Sequence, residues 1–119
     1  MRCILALFLL FSLSTPAAAQ QPGALISTDP IASTPPDMQA WRIRYWTQNQ
    51  DGQRQEVTGM VIAPRGATPP RPRRVIAWTH GTSGVVEKCA PSNGDAIFTV
   101  TPNLDKMIAQ GYVVVAPDY

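Results

Sequence analysis

In VIAWTHGTSG (residues 75–84) a short apolar run ends at His80 and gives way to Gly81, Thr82, Ser83 and Gly84. These residue types offer three chemistries: a serine nucleophile, an imidazole base or metal ligand, and main-chain amides left uncovered by glycine. A nucleophilic Ser83 calls for G-x-S-x-G, the pattern that mounts a serine on a sharp strand-to-helix turn. Gly81 fills the first glycine position, but Val85 stands at the second. His80 is the single histidine of the chain and precedes Ser83, so the order serine, acid, histidine fails as well. Ser83 therefore reads as a bystander. No second histidine and no cluster of thiolates or carboxylates lies at ligand spacing, so no metal site is expected. His80 is expected to lock the loop by hydrogen bonding.

The third chemistry fits the residues better. When an ester or amide carbonyl is attacked, negative charge develops on its oxygen, and a preorganised N–H donor aimed at that charge is worth roughly 3 kcal/mol or more. Glycine lets a backbone turn sharply and leaves amides pointing outward with no side chain in the way. The alternative is a turn whose role is structural only.

The elements that hold this turn follow from the flanking pattern. VIAWTH (75–80) is continuously apolar, as in a strand covered on both faces of a parallel or mixed sheet. Loop signals fill 81–102. Asn103 can cap a helix through LDKMIAQ, with Leu104, Met107 and Ile108 spaced i, i+3, i+4 and Gly111 as its left-handed stop. YVVVAP (112–117) repeats the buried-strand pattern. Strand, loop, helix, glycine, strand is a βαβ unit with a right-handed crossover and parallel strands.

Upstream, WRIRYWTQ (41–48) alternates Trp41, Ile43 and Tyr45 against Arg42, Arg44 and Trp46, which suggests a half-exposed strand. Asp51-Gly52 supplies a turn. QEVTGMVIAP (55–64) is its hairpin partner, in which Gly59 marks a bulge or a close backbone approach. RGATPPRPRR (65–74) is basic, but its three prolines and lack of aromatics make it a solvated linker. Residues 20–40 carry four prolines and no apolar period, and are expected to form an irregular leader.

Arg2, the apolar run Ile4–Phe11 and Ala17-Ala18-Ala19 match a secretory signal peptide over 1–19, with cleavage after Ala19. The apolar run is shorter than the roughly 20 residues that span a bilayer, so no stable membrane anchor is expected, and the product is expected to be secreted or periplasmic. Cleavage removes one cation, Arg2, of the ten, leaving nine against eight Asp and Glu. That balance recruits neither nucleic acid nor an anionic membrane. Cys89 is then the only cysteine left in an oxidising compartment. Two doubly buried strands also need further strands and helices to cover them, so 41–119 reads as the N-terminal portion of a larger α/β domain with an incomplete sheet.

VIAWTHGTSGVVEKCAPS (75–92), a helix, and GYVVVAPDY (111–119) together resemble the N-terminal part of the secretory lipase family of α/β-hydrolases, over about residues 56–119. HGT-x-G, the C-A-P-S run at Cys89–Ser92 and the G-Y-V-V-V-A-P-D-Y ending carry the resemblance. It implies an antiparallel hairpin leading into the parallel βαβ unit, and an exported serine hydrolase of carboxylic esters, acylglycerols or related lipids, with no cofactor. By position, the Thr82 amide is the oxyanion donor, Gly81 shapes the turn and His80 supports it. The resemblance also implies a disulfide partner for Cys89 outside this chain, a structural role for Asp118-Tyr119 after the last strand, and a nucleophile, acid and base that all lie beyond Tyr119. A non-catalytic secreted α/β binding module is the alternative.

Overall fold

The computed structural model describes residues 21–84 and 86–119; the expected signal peptide, Gln20 and Val85 lie outside the described residues. Five strands form one mixed sheet: β1 (Leu25–Ile31), β2 (Met38–Gln48), β3 (Arg54–Pro64), β4 (Val75–Ala77) and β5 (Val113–Pro117), in the spatial order β1-β2-β3-β5-β4. Between β4 and β5 lie two 3-10 turns (Glu87–Cys89 and Pro91–Asn93) and two short helices, α1 (Ile97–Val100) and α2 (Leu104–Ala109). All pairings are antiparallel except β4 with β5, which are parallel and joined through the helices. The chain is thus a partial α/β fold with an open sheet, antiparallel hairpin first and βαβ unit second.

The hairpin turn is built as its residues dictate. Asn49 Oδ1 accepts from the amides of Asp51 and Gln53 at 3.0 and 2.9 Å, and Gly52 takes a φ of +74°. Pairing then runs unbroken from Met38–Pro64 to Gln48–Arg54, so Gly59 is not a bulge. A Cβ at Gly59 would stand 2.8 Å from the Ala116 carbonyl oxygen and 3.1 Å from Pro117 Cα, so the glycine permits the close approach of β5.

Register sorts the residues by face. Met38, Ala40, Met60, Ile62, Val114 and Ala116 share one face and are buried with Ile97, Leu104 and Ile108 of the two helices. Arg42, Thr58 and Asp118 continue that face past the end of the apolar core. There the Arg42 Nε donates to the Ser92 carbonyl at 2.7 Å, and farther along the exposed Arg44 pairs with Glu56.

Three expectations need correction. Residues 20–40 are not an irregular leader: Leu25–Ile31 pairs with β2 as the outermost strand on its side, where Pro30 is tolerated because an edge strand satisfies only one neighbour. Its side chains are mostly exposed, so no apolar period marks it. Among the described residues the helices lie on one side of β4, as the incomplete sheet implies; Val75 is 63% exposed and Ala77 is exposed, while Val113 and Val115 are half-buried. The stretch 81–102 is not all loop, because it holds both 3-10 turns and α1. Asn103 is not a side-chain cap: it sits at φ +55° and makes no capping bond, turning the chain between α1 and α2 in a conformation asparagine tolerates. At the other end of α2 the expected stop is present. Gly111 takes φ +85°, its amide reaches the Ile108 carbonyl at 2.9 Å, and the Tyr112 amide reaches Met107 at 3.1 Å, which satisfies two carbonyls the helix leaves free.

Candidate functional site: the loop after β4

Trp78 makes the last ladder contact of β4, its amide donating to the Val115 carbonyl at 2.8 Å. The chain then leaves the sheet at its carboxyl end, where α/β sheets present ligand sites. His80 turns inward and is 7% exposed, whereas Gly81, Thr82, Ser83 and Gly84 are exposed.

Two contacts fix the imidazole. Its Nδ1 lies 2.6 Å from the Gly81 carbonyl oxygen, a contact that requires the proton on Nδ1. Its ring stacks on Tyr119 with centroids 4.6 Å apart and planes 12° from parallel, and the Tyr119 hydroxyl donates to the His80 carbonyl. Nε2 is buried and has no partner among the described residues.

The consequence falls on the main chain. No cis peptide occurs among the described residues, and in a trans peptide N–H and C=O point in opposite directions. With the Gly81 carbonyl aimed at the imidazole, the Thr82 N–H points away from it. Among the described residues, none of the amides of Gly81, Thr82, Ser83 and Gly84 donates a hydrogen bond. His80, Thr82 and Ser83 border two clefts, one of about 520 Å³ toward Trp78, Cys89 and Ile97, the other of about 740 Å³ toward Val57, Asp118 and Tyr119.

The tight turn falls on a different glycine from the one expected. Gly81 has no positive φ, and a Cβ there would meet nothing within 4 Å. Gly84 carries φ +129°, and a Cβ on it would stand 2.7 Å from Cys89 Sγ. Gly84 therefore shapes the loop, while Gly81 leaves open space beside the amides. Cys89 is unpaired among the described residues and packs against this corner. Ser83 is exposed, and neither imidazole nitrogen of His80 is hydrogen bonded to a serine hydroxyl.

One anchor beneath the loop is not evident from spacing. The Asp118 carboxylate accepts from the Ser92 hydroxyl, from the Ser92 amide at 3.1 Å and from the Thr58 hydroxyl at 2.7 Å. Ser92 is fully buried, and the Asp118 amide donates to the Thr58 carbonyl at 2.9 Å. This knot ties the 3-10 turn at Pro91–Asn93, β3 and the end of β5 together below Tyr119. Burial, and secondarily the Asp118 charge, pushes the Tyr45 phenol above 10.0. Among the described residues, no three His, Cys, Asp or Glu side chains come together as a metal cluster.

No family model and no curated protein matches the chain. The chain is similar to a solved structure, that of Candida antarctica lipase A in its closed state, with a TM-score of 0.57 and 23% identity. The match covers 79% of this chain and 25% of the lipase, so the chain spans about a quarter of that protein's length. The likeness is one of fold.

Proposed function

We propose that this chain supplies the oxyanion-binding loop of an exported serine hydrolase acting on carboxylic esters, with acylglycerols or related lipids as substrates. The carrying observation is the Thr82 amide: without a hydrogen-bond acceptor among the described residues, aimed away from His80 by the His80–Gly81 contact, and set at the carboxyl end of a parallel strand beside two clefts. The fold likeness to a lipase supports the same reading.

In this reading a serine from a segment outside this chain bonds to the ester carbonyl carbon while its proton passes to a histidine base. The carbonyl electrons move onto oxygen, where the Thr82 N–H meets the charge. Collapse expels the alcohol, which takes the proton, and water then releases the acid by the same route. His80 serves as a brace and not as the base, because its Nε2, the nitrogen left to take a proton, is buried with no serine hydroxyl bonded to it among the described residues.

The test is hydrolysis of short-chain and long-chain p-nitrophenyl esters by the full-length protein and its Ser83→Ala variant. The proposal expects turnover by both. No turnover by the unsubstituted protein refutes it, and loss of turnover in Ser83→Ala alone would make Ser83 the nucleophile.

A further inference from the structure

We infer that Tyr119 is a positioning residue for the oxyanion loop, an inference that rests on the reading above. Two consecutive peptides lead from His80 to Thr82, and each has its carbonyl held. The His80 carbonyl accepts from the Tyr119 hydroxyl, and the Gly81 carbonyl accepts from the imidazole that Tyr119 stacks upon. Because both peptides are trans, pinning the two oxygens directs the amides of Gly81 and Thr82 away from the pins.

Without the first pin, the 80–81 peptide is free to rotate about its flanking bonds. Rotation would exchange its N–H for its C=O and displace the following peptide, whose N–H is the Thr82 donor. The second pin is weaker alone, since Nε2 of the imidazole has no partner among the described residues to hold the ring in plane. Tyr119 meets the loop at two points, its ring on the imidazole and its hydroxyl on the His80 carbonyl. Its own backbone is anchored by the neighbouring Asp118, which holds Ser92 and Thr58.

The experiment uses the full-length protein with Tyr119→Phe, which keeps the stacked ring and deletes the hydroxyl, and Tyr119→Leu, which deletes both. Tyr119→Phe is expected to lower kcat about tenfold, the effect of one net hydrogen bond, with KM within about twofold. The ¹³C resonance of the His80 carbonyl is expected to move upfield as it loses its donor. Tyr119→Leu should lower kcat further and move the imidazole proton signals assigned to His80. An unmoved carbonyl resonance in Tyr119→Phe shows that no clamp exists and overturns the inference, as does a moved resonance with unchanged kcat. An unsubstituted protein that turns over no ester overturns the functional reading instead, and the carbonyl resonance tells the two failures apart.

Discussion

Removing the Asp118 carboxylate probes the knot beneath the loop. Asp118→Ala takes the acceptor from the Ser92 amide, the Ser92 hydroxyl and the Thr58 hydroxyl at once. Ser92 is fully buried, so its two donors lose their acceptor out of reach of bulk water. A buried donor left unsatisfied costs about 1–3 kcal/mol; for the two Ser92 donors, with water reaching the half-buried position 118, the loss sums to about 3 kcal/mol. With a urea m-value of roughly 1.5 kcal/mol/M, the unfolding midpoint falls by about 2 M. In a Ser92→Ala background one of those donors is gone, so adding Asp118→Ala should cost about 1 kcal/mol less than it does alone. The assay is urea unfolding followed by circular dichroism for the four members of the cycle. A midpoint for Asp118→Ala within about 0.3 M of the unsubstituted protein would refute the claim that this carboxylate ties the turn to the sheet.

Two further predictions concern the loop's corner and the titration of Tyr45. Gly84→Ala forces a side chain to φ +129° and against Cys89 Sγ, and should destabilise by about 2 kcal/mol; a Cys89→Ala background should recover part of this in urea unfolding, because the φ strain stays. The Tyr45 phenol should titrate above 10.0 in the folded protein by NMR, and Asp118→Asn should lower it without restoring the ordinary value, since burial is the larger cause. Between the unfolded and the folded pKa the native state holds the phenolic proton that the unfolded state has released. The contribution is therefore fully present below about pH 10 and lost as pH rises through the folded pKa, and unfolding should become easier in that window.

The βαβ unit was legible because its signals are local: a buried run, an i, i+3, i+4 stripe and a glycine stop all lie within a few residues of one another. Asp51-Gly52 and Gly59 were legible for the same reason, as backbone demands that only certain residues meet. β1 was hidden because an exposed edge strand needs no apolar alternation and can hold Pro30. Spacing marks Gly81 and Gly84 alike, and only the φ values and the position of Cys89 separate their roles. The contacts that brace the loop were out of reach, since Ser92 and Asp118 lie 26 residues apart and His80 and Tyr119 lie 39 apart. Of the three residues expected at the site, His80 is buried, Thr82 is exposed and Gly81 has no positive φ, the bend with φ +129° falling on Gly84 instead.

The most direct test of the oxyanion assignment separates the backbone of residue 82 from its side chain. Thr82→Pro deletes the N–H, while Thr82→Ala keeps it and deletes only the hydroxyl and methyl. Measured on the full-length protein with one ester substrate, kcat should fall by about 10²–10³ in Thr82→Pro and stay within about twofold in Thr82→Ala. Equal kcat values for the two variants would contradict the claim that the peptide hydrogen of residue 82 carries the charge.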